Sequence, residues 1–126
     1  MNEFQKPKFS FGRWVAAFKN SGKGFRFALK NGAAFREELI STVLLTPIAY
    51  YLADNPLQFC TLIGGLLLLL IVETLNSAIE VTIDKISLEH HPLSAAAKDL
   101  GSLAVTLTII FNLLLWGAAF WHKWMV

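Results

Sequence analysis

The chain has 126 residues, 55% of them hydrophobic and only 16% charged, with a net charge of +2. A soluble domain carries about 25% charged residues, so the composition excludes an ordinary water-soluble globule and points to one membrane-embedded domain over residues 1–126. The single Cys60 excludes an intrachain disulfide and a CxxC metal site, and its apolar surroundings suit inert packing.

The charge is unevenly placed. Residues 1–38 hold eight of the eleven basic residues: Lys6, Lys8, Arg13, Lys19, Lys23, Arg26, Lys30 and Arg36. Residues 1–10 read as a flexible basic lead-in with no short apolar core and cleavage site, so no signal peptide is expected. Over residues 11–30, Trp14, Val15, Phe18, Phe25 and Leu29 alternate with Lys and Arg. That pattern predicts an amphipathic helix lying in the membrane interface, bent or broken at Ser21-Gly22-Lys23-Gly24. The Gly-Lys pair there is no phosphate loop, because the spacing of a Walker motif fails and Gly24 stands where a hydroxyl residue is needed.

Residues 33–52 form the first predicted membrane helix, apolar from Leu39 onward and carrying Pro47 within it. Tyr50 and Tyr51 suit its far interface, and the turn at Asp54-Asn55-Pro56 follows. The second helix is predicted over residues 57–87. At about 45 Å it outruns a hydrocarbon core of about 30 Å, so its last turns must reach water. Glu89, His90, His91 and Pro92 belong to a loop in which adjacent histidines read as solvated rather than as metal ligands. Ser94 is the expected cap of a third helix over residues 94–121, with Trp116, Trp121 and Trp124 marking the far interface. The positive-inside rule puts the basic N-terminus and the loop near Lys85 and Lys98 on the cytoplasmic side, and the Asp54 turn and Lys123 outside.

The chemistry concentrates between residues 73 and 84. At 100° per residue Glu73, Asn76, Glu80 and Asp84 share one helix face, with Ser77 beside them. Acids beside a membrane-grade apolar run are costly and mark function by default, although a solvated or helix-pairing face is the plainer explanation. Glu73 falls near the membrane boundary and Glu80 about 10 Å further out. A shallow carboxylate can serve as general base toward a membrane-embedded substrate, while outer carboxylates can hold Mg²⁺ and Lys98, Arg13, Lys19, Lys23 and Arg26 can neutralise phosphate charge. A transporter or proton-relay subunit is the rival class, and a non-enzymatic adaptor a third. Charges confined to one interface, three helices and no inverted repeat argue against a path through the bilayer.

The stretch Glu73-x-Leu75-Asn76-Ser77-Ala78-Ile79-Glu80-x-x-Ile83-Asp84 resembles the prokaryotic diacylglycerol kinases, small integral-membrane lipid kinases. So do Ala33-Ala34-Phe35-Arg36-x-Glu38 and Glu89-x-His91-x-Leu93-Ser94-x-x-x-Lys98-Asp99-x-Gly101-Ser102, and the similarity runs from Arg13 onward. The resemblance implies an all-α membrane protein with three transmembrane helices and an N-terminal surface helix, assembled as a homotrimer in the bacterial inner membrane with its N-terminus cytoplasmic. It implies ATP-dependent, Mg²⁺-assisted phosphorylation of diacylglycerol, with undecaprenol as the substrate of related members and no nucleic-acid partner. It assigns catalysis to Glu73, Asn76 and Lys98, and the metal to Glu80. It places the nucleotide near Arg13, Asn20, Glu80, Glu89, His91, Lys98 and Asp99. It places the lipid near Arg13, Ser21, Arg26, Ala34, Glu38, Glu73 and Ser102. Two departures stand out: Gly32 replaces a second metal-binding acid, and Asn20 and Gly22 replace an aromatic pair around Ser21. The first predicts activity with a raised Mg²⁺ requirement.

Overall fold

The computed structural model describes residues 10–86 and 90–126, so residues 1–9 of the lead-in over 1–10, the last residue of the predicted helix 57–87, and Glu89 lie outside the described residues. Four helices follow in order: α1 Phe11–Asn31, α2 Ala33–Leu52, α3 Pro56–Ile86 and α4 Pro92–Met125. Among the described residues there is no strand.

The expected break at Ser21–Gly24 does not occur, and α1 runs unbroken from Phe11 to Asn31. Ser21 Oγ donates to Ala17 O at 2.9 Å, so the hydroxyl is satisfied within the continuous helix. Gly22 and Gly24 have only open space where a side chain would project, so nothing forces the backbone aside there. No residue of α1 is buried; it is held to α2 by an edge-on contact of Phe25 with Phe35, ring centroids 5.9 Å apart. The junction is short. Gly32 N–H donates to Ala28 O at 2.8 Å, and Arg36 Nη1 donates to Leu29 O at 2.7 Å and Lys30 O at 3.2 Å. A guanidinium on the last carbonyls of α1 satisfies orphan acceptors and suits the negative end of the helix dipole.

Within α2, Ser41, Thr42 and Thr46 each return their hydroxyl to the carbonyl four residues back, so this polar content stays satisfied in apolar surroundings. The turn into α3 is closed by reciprocal bonds: Asn55 Oδ1 accepts from Gln58 N at 2.9 Å and Gln58 Oε1 accepts from Asp54 N at 2.8 Å, a variant of the capping box with Pro56 at the first helical position. At the head of α4 the cap is His91, not Ser94. His91 Nδ1 accepts from Leu93 N at 3.1 Å, and Pro92 fills the position that needs no donor.

The chain's main packing is α3 against α4, with α2 against α3. The apolar core sits at the end nearest the Asp54 turn, where Ala49, Leu52, Leu62, Leu66 and Trp116 close together. Trp116 is therefore a core residue rather than an interfacial anchor. Cys60 is exposed, which corrects its reading as packing. At the same end His122 Nε2 and Asp54 Oδ2 lie 2.8 Å apart, and Lys123 Nζ stands 4.8 Å from the Tyr51 ring centroid. The Asp54 turn and the Lys123 tail thus share one end of the molecule. Among the described residues α3 and α4 are long and apolar enough to cross a membrane. Leu67, Leu75, Leu107, Leu113 and Leu114 are each more than half exposed, an apolar surface that water does not tolerate and lipid does.

Candidate active site

Fourfold helical spacing brings the acidic stripe of α3 onto one line, and the remaining helices wall it in. Glu73, Asn76, Ser77, Glu80 and Asp84 line a groove of about 830 Å³. Gly24, Phe27, Ala28 and Asn31 of α1 form one wall, Ala33 and Ala34 continue it into α2, and Ser102 and Val105 of α4 complete it.

Burial grades along the groove. Glu73 is 6% exposed and Asn76 8%, whereas Glu80 and Asp84 are open to solvent. Ser77 Oγ makes a long 3.4 Å bond to Glu73 Oε1. Glu38 on α2 is close enough to Glu73 for their charges to interact, and its Oε2 is enclosed without a hydrogen-bond partner. A buried carboxylate with so few donors is stabilised poorly as an anion, which suits a group meant to accept a proton. Further out, Asn76 Nδ2 approaches Glu80 Oε1 at 3.5 Å. Lys98 Nζ donates to Asp84 Oδ1 at 2.8 Å across fourteen residues of sequence. Lys98 stands on the polar first turns of α4, and its bond to Asp84 holds the ammonium above the ordinary lysine pKa, so it remains a cation throughout the neutral range. One of its three N–H groups is used there, which leaves two for another anion.

The residues expected at the site divide into two sets. Glu73, Asn76, Glu80, Ala34 and Ser102 line the groove, Glu38 lies beside Glu73, and Lys98 is held at the outer end by Asp84. Arg13, Asn20, Ser21 and Arg26 are exposed on α1 and His91 and Asp99 are exposed on α4; none of these lines this groove. Gly24, Phe27 and Ala28 of the α1 wall were not among the predicted site residues, and Asp84 was expected only as one of the outer carboxylates. The helical spacing already put Asp84 on the right face, but nothing in the sequence announces its pairing with Lys98.

Gly32 has a steric reason. A Cβ there would lie 2.8 Å from Ala28 O and 3.2 Å from Phe35 Cβ, so any side chain, acidic or not, requires the α1–α2 junction to move. The absent acid and the tight junction go together, and Gly32→Glu is therefore no simple restoration of a ligand. Among the described residues no three His, Cys, Asp or Glu side chains come together as a ready metal cage. Glu80, open to solvent in the same groove, is nonetheless a suitable single carboxylate for Mg²⁺, which keeps waters and takes phosphate oxygens.

Residues 19–120 match the prokaryotic diacylglycerol kinase family. The chain is 42% identical over 111 residues to the diacylglycerol kinase of Escherichia coli strain K12, covering 88% of this chain and 91% of that protein. It is 49% identical over 89 residues to the diacylglycerol kinase of Pseudomonas aeruginosa, covering 69% and 72%. It is 35% identical over 119 residues to that of Helicobacter pylori strain 26695, covering 93% of each. On the strength of this match across nearly the whole length, the chain belongs to the prokaryotic diacylglycerol kinase family, a family of lipid-phosphorylating enzymes.

Proposed function

We propose that this protein transfers the terminal phosphoryl group of ATP to the free hydroxyl of diacylglycerol, giving phosphatidic acid and ADP, at the cytoplasmic boundary of the bacterial inner membrane. The observation that carries this reading is the gradient inside one groove, from the buried carboxylate of Glu73 to the open carboxylate of Glu80. A lipid hydroxyl arrives from the apolar side and a nucleotide from the aqueous side, and the groove is polar in that order.

In this reading Glu73 accepts the proton of the lipid hydroxyl as its oxygen attacks the terminal phosphorus. The bond to the ADP oxygen breaks, and the proton leaves Glu73 for water afterwards. Asn76 and Ser77 orient the two carboxylates, and Lys98, held by Asp84, faces the charge that develops on the phosphate. Glu80 would hold Mg²⁺, which would supply charge neutralisation for the nucleotide.

The surface reading extends to topology. With α2 as a third span, its polar start at Arg36, Glu37 and Glu38 stays at the cytoplasmic interface, and the Asp54–His122 end faces outward. A homotrimer accounts for the second set of residues. Arg13, Asn20, Ser21, Arg26, His91 and Asp99 lie outside the groove of their own chain, where a neighbouring copy can bring its own set to it. Crosslinking in native membranes is expected to trap species up to a trimer.

The test is purified protein in mixed micelles with labelled ATP, offered diacylglycerol and undecaprenol in parallel. Labelled phosphatidic acid is the expected product. Label in the undecaprenol lane alone moves the enzyme to the other substrate, and label in neither removes the kinase reading.

A further inference from the structure

The α3–α4 pair makes two contacts of the same unusual kind. Asn76 of α3 faces Gly101 of α4, and Asn112 of α4 faces Gly65 of α3. Eleven residues separate Gly65 from Asn76 and eleven separate Gly101 from Asn112. The two contacts are thus reciprocal across the antiparallel pair, about three turns apart. Both asparagines are more than nine-tenths buried, and the Oδ1 of each has no hydrogen-bond partner. Each Oδ1 occupies the space into which a Cβ on the facing glycine would project: it would lie 2.6 Å from a Cβ at Gly65 and would overlap one at Gly101. A side chain at either place must displace the facing amide, so what glycine supplies there is clearance, not backbone freedom, since neither has a positive φ.

The two amides differ in where they send their donors. Asn112 Nδ2 donates to Gly65 O at 2.8 Å and to Thr108 O at 3.0 Å, so it closes on backbone within the pair. Asn76 Nδ2 instead approaches a carboxylate of the groove, Glu80 Oε1, at 3.5 Å. The first contact holds two helices together. The second holds two helices together and aims a donor.

We propose that Gly101 is a positioning residue of the phosphoryl transfer, acting through Asn76. By leaving room for Asn76 Oδ1, it turns the amide so that Nδ2 faces Glu80 and the groove. The reversed amide is disfavoured twice, because it sets an oxygen against a carboxylate and leaves both N–H groups facing the Cα of Gly101. Any side chain at position 101 displaces Oδ1. Asn76 is enclosed on its α4 side, so the amide must swing into the groove it lines, or α4 must retreat and carry Ser102 and Lys98 with it. Both responses fall on the reacting end. This inference rests on the reading of Glu80 and the groove as the nucleotide end of a lipid kinase site.

The experiment compares the full-length wild type with Gly101→Ala, Gly65→Ala, Asn76→Ala and the double variant Gly101→Ala/Asn76→Ala in mixed micelles. The readouts are kcat, the KM for ATP and for diacylglycerol, thermal unfolding, and the side-chain amide signal of Asn76 in nitrogen-15 NMR. Gly101→Ala is expected to lower kcat by about tenfold or more, with the diacylglycerol KM unchanged and the Asn76 signal shifted. Gly65→Ala adds the same methyl at the sister contact and serves as the structural control. It is expected to lower the unfolding temperature, hold kcat within about twofold, and leave the Asn76 signal in place. The double variant is expected to match Asn76→Ala in kcat, because the side chain that the methyl displaces is gone. Wild-type kcat in Gly101→Ala overturns the proposal, as does a kcat loss with an unmoved Asn76 signal. If Gly101→Ala does not fold, the double variant decides alone: kcat equal to Asn76→Ala supports the proposal, and a further loss of about tenfold overturns it. Should the wild type phosphorylate no lipid at all, the functional reading fails by itself, while the Asn76 signal still decides whether Gly101 sets the amide.

Discussion

At one end of the α3–α4 pair, Leu62, Leu66 and Trp116 close on Ala49 and Leu52 of α2; at the other, Glu73, Asn76, Glu80 and Lys98 stand around a groove that α1 only partly covers. The helices are the same and their pairing is continuous, yet the two ends obey different rules. The apolar end is built on aliphatic and aromatic contacts, and its one polar cost is the buried Trp116 Nε1, which has no hydrogen-bond partner. The polar end sacrifices packing for position: Glu73 is buried with one long bond, and Asn76 Oδ1 has none. The core and the groove thus lie about two to three turns apart along one helix pair, the rise from Leu66 to Glu73 and Asn76. Substitutions at the two ends are therefore expected to read out in different assays.

The largest effect is expected at Glu73. Glu73→Gln keeps shape and removes the proton acceptor, so kcat is expected to fall by about 10²–10⁴-fold. Its unfolding temperature is expected to hold or rise, because a buried charge without adequate partners is removed. A Glu73→Gln protein that phosphorylates lipid at near wild-type rate would break the comparison at its main point. Next comes Lys98→Ala, with an expected loss of about a hundredfold in kcat and poorer use of ATP. Loss confined to the diacylglycerol KM would assign Lys98 elsewhere.

The apolar end inverts the pattern. Trp116→Ala is expected to lower stability while leaving the kcat of the folded protein unchanged, measured by thermal unfolding and by turnover corrected for the folded fraction. Truncations of this size cost about 3–5 kcal/mol in water-soluble cores, and the low end applies here because lipid solvates apolar surface that water would not. A large kcat loss in stable Trp116→Ala would show that the two ends are coupled. The smallest effect belongs to His122→Ala, which removes a half-exposed pair with Asp54 at the far end. Such pairs contribute about 0–1 kcal/mol, so a small drop in unfolding temperature with unaltered kinetics is expected.

Much of this was legible in the sequence because it is local. Composition gave the membrane class, and helical periodicity gave four helical segments, at residues 11–30, 33–52, 57–87 and 94–121, beside observed helices of which the last, Pro92–Met125, extends past its prediction at both ends. The stripe from Glu73 to Asp84 follows from 3.6 residues per turn, a property of any helix that forms. Local reasoning failed where local preference was weak against context. Ser21–Gly24 did not break α1: the helix runs through it, with the Ser21 hydroxyl returned to Ala17 O. Ser94 lost the cap to His91, because Pro92 fixes where α4 can begin.

The sequence by itself determined that there are long apolar helices and that one of them carries an acidic face. Only the tertiary structure decided what that face meets. The approach of α4 to α3 puts Asn76 Oδ1 against Gly101, pairs Lys98 with Asp84 across fourteen residues, and sets Trp116 in the core. The junction at Gly32 likewise folds α1 over the groove and leaves no room for a side chain there. The physical reason is range. Helix periodicity and capping act over three or four residues, whereas the clearance between two helices depends on every side chain along both. A glycine reads the same in sequence whether it lies in open space, as Gly64 and Gly117 do, or against a buried amide, as Gly65 and Gly101 do.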